Sequence, residues 1–266
     1  MNQREKGWIE TFAKFGHAAK GIVYFLMGAL TAMTAVGIGG EKASNSDALK
    51  EVNSWPGGDF LLALLGLGLV GYSVWRFIQA IKDTEDKGNE AKGLVQRVAF
   101  AVSGVLHGAL AFLAFKIAIG SQNSSSGGSR EKEIASELLS SSWGKYAAIA
   151  LGLIIVANGV YQIIKAYKGS FMKEVEGLPS GQYTTLKKAG KAGFTARGIV
   201  FAIIGFLFLR AVWSNNPNRA EGTEGAFTFL QTSPFGSYLL GVVALGLMCY
   251  GVFMLVQARY STIQLT

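Results

Sequence analysis

Three segments of this chain align with one another without a gap, and this internal repeat limits the possible folds more than any other feature. The segments are Gly58–Ala80, Gly144–Ala166 and Gly236–Ala258, each with Gly first and Ala twenty-two positions later. Each follows another long apolar segment and a polar connector. A fixed period of this kind indicates that one supersecondary unit is built several times. We therefore predict one membrane domain, 1–266, containing repeat units of about 8–86, 93–171 and 186–263.

The apolar segments are long enough to cross a lipid bilayer. Half of the residues are apolar, only 16% are charged and the mean hydropathy is +0.32, which is unusual for a water-soluble domain. A spanning helix needs about 20 apolar residues. The stretches that meet this length are Ala18–Ile38, Phe60–Ile81, Val98–Ile119, Tyr146–Ile164, Thr195–Trp213 and Tyr238–Val256.

These stretches are predicted to be helices, because in lipid each backbone amide must be satisfied within its own segment. Every unit starts and ends on the same side of the membrane, so the units share one orientation and are related by an axis along the membrane normal. The predicted fold is all-α: six transmembrane helices forming three parallel two-helix repeats in a pseudo-threefold arrangement. Short amphipathic helices are expected in the outer connectors, at Asp47–Val52 and Glu133–Leu138.

Basic residues are concentrated in the connectors on one side of the predicted spans. That side carries 17 of the 25 Lys and Arg residues, and the other side carries 8. Connectors rich in Lys and Arg stay in the cytoplasm. Both termini are therefore predicted to be cytoplasmic, in a multi-pass protein of the cytoplasmic (inner) membrane.

Catalytic and metal-binding patterns are scarce in this sequence. Cys249 is the single cysteine, which excludes an internal disulfide and a cysteine metal cluster. All 17 acids lie in connectors or at helix ends, which disfavours a proton pump with embedded carboxylates. We expect no enzymatic activity, no cofactor, no metal and no nucleic-acid partner. The expected partner is the lipid bilayer, including anionic lipid headgroups.

The chain resembles a bacterial family called domain of unknown function 1206. The resemblance is carried by Gly193–Phe201 with Gly205, by a weaker copy at Gly16–Tyr24, and by Ser233–Gly236. It implies six membrane helices in three tandem two-helix repeats, and it implies no activity. The family's first helices favour Ala-Arg-Gly. Here that Arg is present as Arg197, whereas Lys20 and Ser103 occupy the equivalent positions.

Two pairs of basic residues are candidate binding groups near the ends of the spans. Arg197 and Lys20 lie near the inner ends, where they either extend their charges to the headgroups or form an anionic-ligand site. Lys116 and Arg210 are equivalent to each other near the outer ends. They either anchor their helices at the interface or line a positively charged vestibule.

His107 is predicted to lie near the bilayer midplane, where an ionisable group is costly and is a functional candidate. It is either a neutral ring packed among aromatic residues or a group that relays protons or gates a path. The second helices also carry a polar layer near their inner ends. That layer lines an aqueous mouth or joins helices by hydrogen bonds. Its members are Asn158 at the level of Tyr72 and Tyr250, then Arg76 and Gln162, then Gln79, Lys165 and Gln257.

These candidates lead to two functional hypotheses. The first is a pore or small-solute conduit that favours anions, since rings of Arg or Lys are typical of anion pores. The alternative is a non-transporting membrane scaffold or partner subunit that binds anionic lipid or another membrane protein. A water-filled path along the axis would favour the first hypothesis. An axis packed with Leu and Phe side chains would favour the second.

Overall fold

A computed structural model describes residues 3–38, 44–83, 88, 90–120, 128–141, 143–175 and 177–260. The ends of two predicted repeat units, 84–86 and 261–263, lie outside these residues. The described chain is helical almost throughout. The helices are α1 (Gln3–Ala35), α2 (Asn45–Asn53), α3 (Gly58–Lys82), α4 (Ala91–Ala118), α5 (Gly128–Leu139), α6 (Gly144–Lys168), α7 (Ser180–Trp213), α8 (Thr223–Gln231) and α9 (Gly236–Tyr260).

Six of these helices, α1, α3, α4, α6, α7 and α9, are long and apolar enough to cross a membrane. They coincide with the six stretches predicted from the sequence, which confirms the all-α fold with six membrane helices. The short helices α2, α5 and α8 follow the first spanning helix of each unit. Ser44 begins α2 with a capping box, in which its hydroxyl accepts from the Asp47 amide and Asp47 accepts from the Ser44 amide.

Neighbouring spanning helices are antiparallel throughout. Along α1 and α9, for example, Gly21 lies against Gly251 while Gly28 lies against Ala244, so contacts that advance in one helix retreat in the other. The packed neighbours follow the order α6, α7, α9, α1, α3, α4. The first helices of the three units, α1, α4 and α7, are therefore parallel to one another. We call the side where α1 begins and α9 ends the terminal side, and the opposite side distal.

This row of helices curves into an open ring, because side chains of its two end helices, His107 of α4 and Gln162 of α6, reach the same group of residues while α4 and α6 do not pack together in the described part of the chain. In each unit the first helix packs on the second helix of the preceding unit, and unit one follows unit three in this sense. Within units one and three, the first helix also packs on the second. Among the described residues, α4 and α6 of unit two form no such interface. We call the space between α4 and α6 the lateral cleft.

The distal half of the bundle has a dry apolar core. Leu62, Leu65 and Leu69 of α3 and their equivalents Leu240, Val243 and Leu247 of α9 are at most 7% exposed. Spacings of three and four residues place each set on one helix face. The short helices cover this core from the distal side, because Leu49 of α2 and Phe227 of α8 are fully buried.

A buried basic cluster on the terminal side

Four cationic side chains, Lys20, Arg76, Lys165 and Arg197, meet in the terminal-side half of the bundle, and we call them the basic cluster. Lys20, on α1, is 3% exposed. Its ammonium donates to the Tyr72 hydroxyl at 2.8 Å and lies 4.5 Å from the centre of the Tyr72 ring. This hydrogen bond offsets only part of the cost of burying the charge.

Arg197 joins three helices. It projects from α7, donates its Nε to the Tyr24 hydroxyl of α1 at 3.0 Å, and donates Nη1 to Gln162 Oε1 of α6 at 2.7 Å. Its guanidinium also lies 5.0 Å from the centre of the Tyr250 ring on α9. The planar guanidinium satisfies several acceptors at once, which a lysine ammonium does less well.

Arg76 shares an acceptor with Lys20. It donates Nε and Nη2 to the Tyr72 hydroxyl at 2.8 and 2.5 Å, and it donates Nη1 to Gln79 Oε1 at 2.9 Å. Two cations therefore converge on one neutral oxygen. Arg76, Lys165 and Arg197 all repel the Lys20 ammonium electrostatically. The cluster is thus a concentrated region of positive charge.

One carboxylate, Glu174, reaches the basic cluster from a connector. A 3₁₀ turn at Ser170–Glu174 follows α6 and folds back against the bundle, and Phe171 at its start is fully buried. Glu174 accepts from Lys165 Nζ at 2.5 Å and from Gln257 Nε2 at 2.8 Å. Burial favours the protonated acid, but the charge and hydrogen bond of Lys165 outweigh it and lower the pKa of Glu174 to about 2.

At the centre of the cluster, two cations donate to neutral oxygens and one amide N–H group lacks an acceptor among the described residues. Glu174 pairs with Lys165, whereas Lys20 and Arg197 donate to phenol and amide oxygens within the described chain. Gln162 is 3% exposed, and while its Oε1 accepts from Arg197, its Nε2 has no hydrogen-bond partner among the described residues. An unpaired buried N–H beside cations is costly and suits an anionic acceptor.

Two histidines pack beside the cluster. His107 of α4 is 9% exposed, donates Nδ1–H to the Ser103 carbonyl at 2.7 Å, and lies 4.6 Å from the Tyr72 ring. His17 of α1 is likewise buried, and its Nδ1 lies 2.6 Å from the Ala13 carbonyl oxygen. Both rings contact Tyr72. His107 therefore packs as a ring among aromatic residues.

The structure brings together most, but not all, of the predicted site residues. Lys20, Arg76, Gln79, His107, Gln162, Lys165, Arg197 and Gln257 lie in or beside the basic cluster. Asn158 does not complete a layer with Tyr72 and Tyr250. It is exposed, whereas they are at most 1% exposed, because α6 has no neighbour on the side of the lateral cleft within the described chain.

Lys116 and Arg210 were predicted either to anchor their helices or to line an outer vestibule, and the structure places them on helices that are not neighbours among the described residues. Arg210 is exposed and lines a shallow groove with Leu209 and Trp213 on the outside of the bundle. Lys116 lies on α4, which does not pack against α7 in the described structure. The buried distal core is apolar, and the outer vestibule stays a prediction.

Sequence reasoning missed three participants in the cluster. Glu174 lies in a connector, yet the apolar pair Phe171 and Met172 just before it is a signal that this connector folds inward. Tyr24 is the aromatic counterpart of His107 in the repeat, but its hydroxyl also accepts from Arg197. His17 is not among the predicted site residues, but it is buried against Tyr72.

Fold and site together define a polytopic helical membrane protein built from three two-helix repeats, with cations and amides gathered at one end of the bundle. The chain belongs to the family described as Domain of Unknown Function (DUF1206), whose model matches residues 15–83, 98–169 and 192–261. The three matched segments fall on the three helical pairs, and the resemblance found from the sequence is thereby confirmed.

A relative supports this membership. The chain is 32% identical over 263 residues to the uncharacterized protein YxxB of Bacillus subtilis (strain 168), covering 98% of this chain and 94% of the relative. No solved structure matches the chain. The comparisons therefore establish the family and supply no activity.

Proposed function

We propose that this protein binds an anionic group at the basic cluster and does not transport it. The observation that carries the proposal is the pairing of Lys20 and Arg197 with neutral oxygens in the described interior, where the unpaired Gln162 Nε2 lies beside Arg197. Charge-assisted hydrogen bonds to a bound phosphate or carboxylate would satisfy these donors and offset the cost of their burial.

Binding without transport is favoured by the apolar packing of the distal half. A conduit along the axis would pass between Leu62, Leu69, Leu240 and Leu247, all of which are fully buried. An anion-favouring conduit is the second candidate, and the observation that favours it is the position of the cluster inside a ring of helices. It would require the distal leucine layers to separate.

We further propose that the terminal side faces the cytoplasm, in the inner membrane. The support is the excess of basic residues on that side, 17 of 25. Binding is proposed rather than catalysis, because the ionised Glu174 is held by Lys165 and Gln257 and the other polar groups of the cluster are cations, amides and phenols.

The test is the stabilisation of the purified protein by anions. In a detergent with a zwitterionic headgroup, we expect inorganic phosphate or short-chain phosphatidylglycerol to raise the midpoint of thermal unfolding. Lys20→Gln and Arg197→Gln should each weaken this effect about tenfold, which corresponds to the loss of one charged contact. Lys191→Gln is the matched control, since Lys191 is an exposed cation on the same helix as Arg197.

If neither phosphate nor phosphatidylglycerol stabilises the wild-type protein, the proposed function is wrong. If Lys191→Gln weakens the effect as much as Arg197→Gln, the anion binds the surface rather than the cluster.

A further inference from the structure

The lateral cleft sets repeat unit two apart from its two copies. The apolar stretches of α4 and α6 are each 22% buried, against 44–50% for the other four spanning helices. In units one and three the two helices of the unit pack together, and in unit two the described residues form no such interface. Two of the three repeat units therefore have packed helix pairs, and the helix pair of unit two is open.

In units one and three, the two helices of the unit meet at two close contacts, and the first contact depends on a glycine. A Cβ added to Gly16 would come within 2.6 Å of the Tyr72 backbone, and one added to Gly193 would come equally close to that of Tyr250. Only a residue without a side chain permits this approach. The equivalent residue of unit two is Ala99, which carries the excluded Cβ and is exposed on α4.

The second contact is built from a Gly and an Ala. A Cβ on Gly68 would lie 2.6 Å from the Cβ of Ala19, and Gly246 meets Ala196 in the same way. The equivalents in unit two are Ile154 and Val102, which are 60% and 47% exposed. Three of the four contact positions of unit two thus carry a larger side chain than their copies, and the fourth, Asn158, carries a smaller one. The three larger side chains prevent α4 and α6 from approaching as closely as the other pairs, which explains why unit two is open.

The lateral cleft leads to the basic cluster. One of its walls, α4, places His107 against Tyr72, and the other, α6, places Gln162 on Arg197. Asn158 stands where the closed units place Tyr72 and Tyr250, and it is exposed. The cluster is therefore covered by packed helices on the sides of units one and three, and it lies next to the uncovered joint in unit two.

The walls of the cleft are apolar away from the cluster. Leu106 of α4 is 58% exposed and Tyr161 of α6 is 50% exposed, in addition to Val102 and Ile154, whereas the equivalent positions in the closed units are buried, which assigns these side chains to the cleft. The cleft thus combines cations and an unpaired amide donor at its terminal-side end with an apolar slot between two spanning helices. An anion at one end and a hydrocarbon chain along the remainder is the chemistry of an acidic lipid.

We propose that an anionic phospholipid enters the lateral cleft from the bilayer, with its phosphate at Lys20, Arg197 and Gln162 and an acyl chain between α4 and α6. This inference rests on the proposed function and names its ligand. Charge complementarity decides the occupant. A helix from a second copy would fill the apolar slot but would leave the cations without an anion.

The first test fills the cleft with the side chain that the closed units use. Asn158→Tyr restores the residue found at Tyr72 and Tyr250 at an exposed position, where a larger side chain needs no repacking. In nanodiscs of phosphatidylcholine and phosphatidylglycerol, native mass spectrometry should detect one retained phosphatidylglycerol per wild-type chain and at least about fivefold less with Asn158→Tyr. Val160→Tyr is the control, since Val160 is 47% exposed and two residues away on a different face of α6.

The second test closes the cleft. The triple variant Ala99→Gly, Val102→Ala, Ile154→Gly gives unit two the small residues of its neighbours, and it should also lose retained phosphatidylglycerol. A separate variant, Val102→Cys with Ile154→Cys in a Cys249→Ala background, should form a cross-link that closes the cleft and should then lose retained phosphatidylglycerol. Reducing the cross-link in the same sample should restore lipid retention, which separates closure from misfolding.

The outcomes separate this inference from the proposed function. If phosphatidylglycerol is retained equally by the wild type, by Asn158→Tyr and by the closed variant, lateral entry is wrong while anion binding stands. If phosphate stabilises the protein and phosphatidylglycerol is never retained, the ligand is not a lipid. If neither anion binds the wild type, both proposals are wrong. A lipid-free dimer that Asn158→Tyr dissociates would assign the cleft to a second copy.

Discussion

Units one and three are closed hairpins, whereas unit two is an open one, and the contrast shows which contacts between the two helices of a unit differ. All three units have the same order of helices and the same packing on the preceding unit. They differ at a handful of contact positions, where the Gly and Ala residues of the closed units are replaced by the larger Ala99, Val102 and Ile154. Small residues set the distance between membrane helices, because lipid provides no hydrophobic force to draw them together.

The largest expected effect comes from opening a closed unit. Gly193→Ala and Gly246→Ile give unit three the residues of unit two, and the new side chains would collide with Tyr250 and Ala196. Each overpacked contact costs about 1–3 kcal/mol, so the double variant should lose about 3 kcal/mol or more of stability. Thermal unfolding in detergent measures the loss.

The control for this prediction is the reverse change at the open joint. Ala99→Gly removes a methyl group from an exposed helical position, so it should cost about 1 kcal/mol or less. Equal losses in the double variant of unit three and in Ala99→Gly would contradict the account of the open joint.

A second prediction concerns the cation that unit two lacks. The equivalent of Lys20 in unit two is Ser103. Lys20 is 3% exposed, and its ammonium contacts no carboxylate among the described residues. Lys20→Met should therefore stabilise the ligand-free protein by about 1–2 kcal/mol, since replacing a buried charge by an apolar chain is often favourable. The same variant should lose anion binding. Lys191→Met, at an exposed site, should do neither, and a destabilised Lys20→Met would show that the ammonium is already compensated.

Unit two also supplies an ion pair of the cluster, because its Lys165 replaces the Gln79 and Gln257 of the other units. The pKa of Glu174, lowered from 4.5 to about 2, means that its ionised form stabilises the fold above about pH 4.5 and that this contribution is lost as the pH falls toward 2. Glu174→Gln should cost about 1 kcal/mol at neutral pH, because the 37% exposure of the side chain leaves the pair screened.

Unfolding midpoints between pH 7 and pH 2 check this prediction. The difference between the wild type and Glu174→Gln should shrink only below about pH 4.5, whereas Glu137→Gln, at an exposed acid on the distal side, should show no such convergence. A difference that persists unchanged to about pH 2 would mean that the carboxylate is not ionised in the pair.

The smallest effect is expected at His107, which occupies the position of Tyr24 and Phe201 in the other units. His107→Phe removes one hydrogen bond to the Ser103 carbonyl and keeps the ring against Tyr72, so it should change stability by about 1 kcal/mol or less. Retention of phosphatidylglycerol should be the same from about pH 5 to pH 8 in both proteins. If phosphatidylglycerol retention depends on pH in the wild type and not in His107→Phe, the result would support the gating role predicted for His107.

The repeat and the spans were predictable because they are encoded locally. Hydropathy over about 20 residues locates each span, and the gapless match of Gly58–Ala80 to its copies locates the units. Basic residues near the ends of spans were also visible as candidates. The sequence identifies Lys20, Arg76, Lys165 and Arg197 as such, and the structure shows that they converge.

The open joint and the counter-charge were not predicted, because both depend on tertiary packing. Alignment of the units makes Asn158 equivalent to Tyr72. Tyr72 is buried against neighbouring helices, whereas Asn158 is exposed, because α4 and α6 do not pack together among the described residues. The sequence does show that Ile154 stands where units one and three have Gly68 and Gly246, and this difference is the local signal of the open joint. Glu174 lies in a connector, and only the inward fold of Ser170–Glu174 brings it to Lys165.

The single open joint also bears on why three hairpins are joined in one chain. An assembly of three identical hairpins obeys its own symmetry, so a substitution that parts one pair of helices parts all three and dissolves the bundle. Concatenation removes that obligation. The helix pairs of two units can keep the packing that stabilises the bundle, while the third pair can change its sequence for another function. Here that third pair belongs to unit two, which carries Asn158 and Ile154.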